Sequence, residues 1–164
     1  MKEDILKSYN LVSNNYIGNS NSLHKLGLDS KRLEDAAGKQ ILDVLGLDGY
    51  DVIYTSGNAE SMSTILFNVF GDSDVEFSAT DINHFGKYSH INVNLNNNYC
   101  DLNDYDFITI EDEIPFFGVL LKKKNIDIKP IICGGKSSTK YRSGTAATSL
   151  IVSFSKLVKF KYKK

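Results

Sequence analysis

Residues Gly57 to Ser61 have the composition of an anion-binding turn. A short β-type run, Asp51 to Thr55, precedes this segment, and a stretch with helical apolar spacing, Glu60 to Phe70, follows it. The first backbone N–H groups of a helix have no partner inside the helix, and the positive end of the helix dipole lies beside them. A strand–glycine–helix junction is therefore a candidate phosphate site. A plain tight turn is the alternative, because α/β proteins contain many such junctions.

A second group of titratable residues, Glu111, Asp112 and Glu113, has the donor atoms of a metal site. No His or carboxylate partner stands at a ligand spacing from this group, so we interpret it as a solvated acidic turn and predict no metal. The two cysteines, Cys100 and Cys133, have no CxxC spacing. This argues against both structural zinc and a disulfide framework.

The elements that must position these residues follow from apolar periodicity. An apolar stripe after Ser30, the expected N-cap, predicts a helix that ends at Gly46. The patterns also predict a loop at Ser13–Ser22, a turn at Asn92–Asn98, strands at Val75–Ala79, Asp106–Ile110 and Phe116–Leu121, a hairpin strand at Ile126–Ile132, and a last helix at Ala146–Leu157. This order of elements fits an α/β layer rather than a helical bundle or a β-sandwich.

Length and composition predict a single globular domain over residues 1–164, with 41% hydrophobic and 24% charged residues. The net charge of -1 produces no electrostatic attraction to nucleic acid or to an anionic membrane. No run of residues approaches the roughly 18 apolar residues of a membrane span. Residues Met1 to Asn10 lack the apolar core of a signal peptide, so a cytoplasmic protein is expected. The tail Lys156–Lys164 interleaves basic and aromatic residues, but we interpret it as a solvated terminus and expect no nucleic-acid binding.

Four segments, in the right order, resemble those of a known family. The resembled family is that of the pyridoxal-phosphate-dependent cysteine desulfurases. Its four corresponding segments are the Asn-Pro-Ser-Ser-x-His loop, the phosphate loop, the strand before the Pro-Ile-x-His-Gly-Gly turn, and that turn with the Arg-Ser-Gly-Thr segment that follows it. The matching residues are Gly18–Gly27, Ile53–Ser61, Gly118–Lys122, and Pro130–Gly135 with Tyr141–Thr145. The resemblance extends over residues 16 to 157.

The resemblance implies an α/β fold, a reduced three-layer remnant of the large domain of class V aminotransferases, with a mixed sheet and flanking helices. It implies an anion site made of Ser56, Gly57, Asn58, Ala59, Glu60 and Ser61, with Thr145 reaching in from a second subunit. It also implies a homodimer, since the family places at its subunit interface the loops matched by Asn19, Ser22, His24, Arg142, Ser143 and Gly144. His84 resembles the ring-stacking His of the family, with a spacing two residues too long, and His90 is a competitor without a motif. For both residues an ordinary surface or core His is the preferred interpretation.

The chain departs from the family where the family performs its chemistry. Glu113 stands in place of the lysine that holds the cofactor, and a carboxylate cannot form a Schiff base. The strands that carry the pyridine-binding Asp are expected to be missing, because the interval from His84 to Asp106 is short. Ala59 replaces the phosphate-binding Thr, and Cys133 replaces a His. The small C-terminal domain with the nucleophilic Cys is expected to be absent.

The sequence therefore predicts a non-catalytic, cysteine-desulfurase-like protein that acts as an interaction or structural component, with pyridoxal phosphate bound non-covalently or not at all. A virus-encoded protein of the host cytoplasm or virion, which engages a host desulfurase or its partner protein, is one form of this hypothesis. A binding module for a phosphorylated small molecule at the Gly57 loop is the alternative. A third hypothesis is an enzyme with new chemistry that uses His24, His84 or Glu113 as acid or base.

Overall fold

A computed structural model describes residues 2–71, 84–85, 87–97, 101–111, 114, 116–134 and 139–162. The described elements, in chain order, are α1 (Lys2–Asn15), α2 (Lys25–Leu45), β1 (Tyr50–Thr55), α3 (Asn58–Phe70), β2 (His84–Phe85), β3 (Tyr88–Asn94), β4 (Phe107–Glu111), β5 (Gly118–Lys123) and α4 (Thr148–Lys161). They form two compact units, residues 1–48 with 132–164, and residues 49–131. The single domain over 1–164 stays a prediction, since one domain can contain two compact units.

The second unit contains a mixed sheet with the strand order β1-β5-β4-β3-β2. Strands β3 and β4 pair in parallel, and the other neighbours pair antiparallel. Every residue of β5 from Gly118 to Lys122 is buried, as expected of a strand with neighbours on both edges and cover on both faces. The predicted α/β class with a mixed sheet is thus confirmed.

Helix α2 in the first unit starts earlier than predicted. Its N-cap is His24, whose Nδ1 accepts a hydrogen bond from the backbone N–H of Gly27. Ser30, the predicted N-cap, lies inside the helix and is fully buried, so that prediction was wrong. The helix ends at Gly46 as predicted, because Gly46 adopts the left-handed conformation (φ 72°) that glycine tolerates without strain.

The predicted hairpin strand at Ile126–Ile132 does not form. Residues 126–130 have no strand pairing, although Ile126 and Ile128 are buried. The reason lies in the sheet, where β1 and β4 already occupy both edges of β5. A further strand could not pair with β5, because the backbone groups along both edges of β5 already pair with β1 and β4.

Strand β3 overlaps the start of the predicted turn at Asn92–Asn98. It also lies in the interval between His84 and Asp106, where strands of the resembled family were expected to be missing. Its residue Asn92 accepts a hydrogen bond from Thr109 on β4, and the Thr109 hydroxyl also bonds the Nε2 of the buried His90. The predicted turn is thus confined to residues 95–97 in the described part of the chain. The predicted strand Val75–Ala79 lies outside the described residues.

Two terminal segments also differ from the prediction. Helix α1 covers residues 2–12, for which no element was predicted, and extends into the predicted Ser13–Ser22 loop. Helix α4 continues to Lys161, with Leu157 and Val158 buried, so most of the tail is the last turns of a helix rather than a solvated terminus. In the part of the chain that the structure describes, no helix has the length and apolar character needed to cross a membrane.

The sheet contains a buried lysine. The side chain of Lys122 on β5 is fully buried, and its Nζ donates to Asp51 Oδ2 on the neighbouring strand β1 at 2.8 Å and to the Lys123 carbonyl at 3.3 Å. Asp51 and Lys122 are direct cross-strand partners. Because a buried ammonium is costly without a counter-charge, this pair ties β1 to β5.

We predict that Asp51→Ala lowers the free energy of unfolding by about 1.5–3 kcal/mol, the usual range for a hydrogen bond to a charged group. The matched control is Glu3→Ala, which removes a surface pair with Lys7 in which both side chains are mostly exposed. That change should cost about 0.5 kcal/mol or less. Urea denaturation of both variants measures the difference, and equal losses would contradict the structural role of Asp51.

Candidate functional site

The loop from Thr55 to Ser61 joins β1 to α3 and is closed by its own hydroxyl groups. Thr55 Oγ1 lies 2.8 Å from Ser61 Oγ and donates to the Gly57 carbonyl at 3.1 Å. Ser61 Oγ lies 3.3 Å from the same carbonyl. Both side chains are buried, so the Ser61 hydroxyl, a predicted anion contact, is directed into the packing of the loop.

Gly118 permits a close contact with the backbone of Gly57 that a side chain at position 118 would block. A Cβ added at Gly118, the first residue of β5, would lie 2.7 Å from both the Gly57 carbonyl carbon and Thr55 Oγ1. Gly57 itself has a positive φ of 154°, which strains any residue with a side chain. The loop conformation therefore depends on glycine at both positions.

The carboxylate of Glu60 lies over the start of α3. Its Oε2 accepts a hydrogen bond from the backbone N–H of Ser56 at 2.8 Å. A glutamate at the third helical position that reaches back to a preceding N–H is a form of capping box. The backbone N–H of Ser56, a predicted anion-site residue, is thus bonded to the carboxylate of Glu60. The N-cap residue Gly57 has no side chain that could cap the first turn of α3.

The loop before α2 folds tightly over the first turn of that helix. A Cβ at Gly18 would lie 2.3 Å from the Leu26 carbonyl carbon, and one at Gly27 would lie 2.3 Å from the Ser22 carbonyl oxygen. Asn19 organises the turn, since its Oδ1 accepts from the Asn21 N–H and its carbonyl accepts from the Ser22 N–H. His24 then caps the helix.

The segment around Arg142 is tied to this loop within one chain. Thr145 Oγ1 accepts a hydrogen bond from Asn19 Nδ2 at 3.3 Å. The Ser143 N–H donates to the Ile132 carbonyl, and Thr139 Oγ1 donates to the Arg142 carbonyl. Gly144 has a positive φ of 116°. Asn19 and Thr145, two predicted site residues, are thus brought together, while the reach of Thr145 into a second subunit stays a prediction.

Other predicted residues lie where the structure leaves their roles untested. His84 begins β2, but its side chain, like that of Glu111 at the end of β4, is outside the described part. Asp112 and Glu113 lie outside the described residues. Cys133 is exposed as a free thiol. Within the described ranges, no three His, Cys, Asp or Glu residues gather in a way that could hold a metal ion.

A buried carboxylate in the first unit escaped the sequence analysis. Glu34 on α2 is only 4% exposed, and its Oε1 accepts a hydrogen bond from Thr148 Oγ1 at the start of α4 at 2.6 Å. Burial raises the pKa of this carboxyl above its ordinary value of 4.5, while the hydroxyls of Thr148 and Ser20 and the charge of Lys31 oppose the rise. The signal was present in the sequence, because Glu34 falls on the same helical face as Ala37 and Ile41.

We predict that Glu34→Gln removes a pH-dependent part of the stability. A carboxyl with a raised folded-state pKa contributes stability below its unfolded pKa and loses it as pH rises through the folded value. The wild-type protein should therefore lose stability relative to the variant between acidic and neutral pH, because the uncharged amide of the variant can still accept from Thr148. Urea denaturation from pH 4 to 8 tests this, with Glu3→Gln on exposed α1 as control. Parallel curves for wild type and Glu34→Gln would contradict it.

The chain is similar in sequence to a known protein over part of its length. Over 66 residues it is 38% identical to a NifS/IcsS protein homolog of Lactobacillus delbrueckii subsp. bulgaricus, a match that covers 40% of this chain and 17% of that protein. No family model matches the chain. The chain thus spans about a sixth of the curated relative that it matches.

Solved structures with the same fold extend the likeness over nearly the whole chain. A NifS-like protein from Rickettsia africae has a TM-score of 0.76 at 17% identity, over 96% of this chain and 65% of that one. A cysteine desulfurase from Thermococcus onnurineus has a TM-score of 0.76 at 9% identity, over 96% and 64%. The chain therefore has the class V aminotransferase fold of these NifS-like structures, and over 66 residues it is similar in sequence to a NifS/IcsS protein homolog.

Proposed function

We propose that the chain is a non-catalytic, cysteine-desulfurase-like protein that acts as an interaction or structural component. The observation that carries this proposal is the absence of lysine from Asp106 to Ile114, a stretch that resembles the cofactor-lysine segment of the cysteine desulfurases. Strand β4 supplies most of this stretch and lies between β3 and β5. Without an amine there, the residues present do not fit a covalently held pyridoxal phosphate.

The one buried lysine of the described residues lies at the far end of β5 from the Gly57 loop. Among the described lysines, Lys122 alone has a buried side chain, and Asp51 holds it in the sheet. It lies four residues beyond Gly118, which at about 3.4 Å per residue puts their Cα atoms about 14 Å apart. Gly118 is the residue that contacts the Gly57 loop, so the buried amine lies far along β5 from that loop.

The polar groups of the Gly57 loop also support a structural role. The hydroxyls of Thr55 and Ser61 bond within the loop, and Glu60 occupies the Ser56 N–H. Ala59 offers no hydroxyl, and the loss of one hydrogen bond to a charged group costs about 1.5–3 kcal/mol, or roughly tenfold to a hundredfold in affinity. In this proposal the loop supports the fold, and the protein acts through its surface.

The surface partner in this proposal is a second copy of the chain or, in the virus-encoded form, a host desulfurase or its partner protein, in the cytoplasm or virion. The alternative is a module that binds a phosphorylated small molecule. One observation favours that alternative: the N-cap Gly57 forms no side-chain hydrogen bond, which leaves first-turn donors of α3 to other acceptors. Binding there would be weak and sensitive to salt, because the carboxylate of Glu60 is close.

We predict that the protein forms no specific covalent adduct with pyridoxal phosphate. The purified chain is incubated with the cofactor, reduced with borohydride and analysed by intact mass and peptide mapping. The expected result is a low, scattered modification of surface lysines that is equal in wild type and in Gly57→Val, whose loop is distorted. One lysine modified stoichiometrically in wild type and spared in Gly57→Val would overturn the proposal.

A further inference from the structure

The two compact units have opposite net charges. The first unit, residues 1–48 with 132–164, contains 14 Lys and Arg residues and 7 Asp and Glu residues, which gives a formal net charge of +7. The second unit, residues 49–131, contains 5 and 13 of these residues, which gives a net charge of -8. The expectation of no nucleic-acid binding rested on the whole-chain charge of -1, and that value hides a basic unit.

The basic charge is most concentrated in residues 132–164. This stretch contains eight Lys and Arg residues and no Asp or Glu. Helix α4 supplies its ordered C-terminal half, where a solvated tail was expected from the sequence. The lysines of the tail are therefore carried by a helix, which sets the spacing between them.

One face of α4 presents two lysines and an aromatic ring to solvent. Lys156, Lys159 and Phe160 are all exposed, and intervals of three and four residues place them on the same side of a helix. Leu157 and Val158 are buried and hold the opposite side in the first unit. We call Lys156, Lys159 and Phe160 the α4 surface. The backbone beneath it is fixed before any partner binds.

The fold does not use the two lysines of the α4 surface for ion pairing. Among the described residues, no acidic group pairs with Lys156 or Lys159, whereas Lys7 on α1 pairs with Glu3 at 2.9 Å. Attraction to the negative end of the helix dipole accounts for Lys159, which lies in the last turn of α4. It does not account for Lys156, which lies before that turn. Both ammonium groups are thus available to an anionic partner.

We propose that the α4 surface binds single-stranded nucleic acid. Lys156 and Lys159 would contact successive backbone phosphates, and an unpaired base would stack on the ring of Phe160, which is 50% exposed. Surfaces that bind single strands without sequence preference combine basic residues along the backbone with an aromatic side chain for the bases. This inference goes beyond the proposed function, which names no nucleic acid.

Other anionic partners are less compatible with this surface. Helix α4 packs against both α1 and α2, so it does not protrude as a helix must to enter the major groove of a duplex. Its apolar residues Ile151, Phe154 and Leu157 are buried and cannot insert into an anionic membrane. An acidic protein would need an apolar interface core, but Phe160 is the one exposed large hydrophobic residue within residues 139–162.

The test is fluorescence anisotropy of a labelled oligothymidylate of about 20 nucleotides, longer than the roughly 4–16 nucleotides of a single-strand site. Wild type should bind it with a dissociation constant of about 1–100 μM. Lys156→Gln and Lys159→Gln should each weaken binding about fivefold at about 0.1 M salt and reduce the log–log salt slope by about 0.7. Phe160→Leu keeps an apolar side chain but removes the ring, and should weaken binding about tenfold.

The matched control is Lys7→Gln, which removes the same charge from an exposed lysine that already pairs with Glu3. It should change the affinity less than about twofold, since surface pairs of this kind contribute little. Circular dichroism of each variant checks that the helices are intact.

A wild type that fails to bind the oligonucleotide below about 100 μM would overturn the inference. Equal losses in Lys156→Gln and Lys7→Gln would also overturn it, as would binding that Phe160→Leu leaves unchanged. Tighter binding of a duplex, of polyglutamate or of phosphatidylserine vesicles would assign the α4 surface to another partner and refute the proposal. The borohydride experiment is separate, because a specific cofactor adduct would refute the non-catalytic role and leave the α4 surface in place.

Discussion

The close approach of Gly118 to Gly57 is the constraint on which the second unit depends. It places the first residue of β5 directly on the loop between β1 and α3, with no space for a Cβ. The same contact sets the register in which Thr55 pairs with Gly118, and it brings Tyr54 and Phe117 into a stack with ring centroids 5.9 Å apart. The Thr55–Ser61 bond and the start of α3 follow from that placement.

Several polar groups of this loop are already bonded within the chain. Its hydroxyls bond inside the loop, its Ser56 N–H bonds Glu60, and the matched threonine position is Ala59. The loop before α2 is similar, since Asn19 bonds both its own turn and Thr145. In the proposed non-catalytic protein, these two loops serve packing and turn formation. Residues 6–28, by contrast, expose eight large hydrophobic side chains.

The features that sequence predicted well are those set by neighbouring residues. Gly46 ends α2 because glycine alone adopts its left-handed conformation without strain, and β1 and α3 follow the local apolar period. The features that sequence missed depend on distant partners. The Ile126–Ile132 hairpin strand does not form because β1 and β4 occupy the two edges of β5. Strand β3 forms by parallel pairing with the distant strand β4, and Asn92 and His90 bond Thr109 across that pair.

The residues of the candidate site show the same difference between features set by neighbouring residues and features set by distant partners. The Gly57 loop was found from a local strand–glycine–helix pattern, but its closure by Glu60 and Gly118 required the structure. Asn19 and Thr145 were selected by family resemblance, and their contact spans 126 positions in the chain. Glu34 was missed because a single Glu in a helical stripe is a weak signal until its burial against Thr148 is seen.

Amide hydrogen exchange at the Gly57 loop tests the central claim most directly. The claim is that Glu60 and Gly118 close this loop for packing, so exchange at Ser56, Gly57 and Asn58 is measured alone, with excess inorganic phosphate, and with excess pyridoxal phosphate. The account predicts that the Ser56 amide is protected in all three conditions, that Glu60→Gln weakens this protection, and that neither ligand changes exchange across residues 55–61. Ligand-dependent protection of Gly57 and Asn58, reduced by added salt, would contradict the account and establish the loop as a working phosphate site.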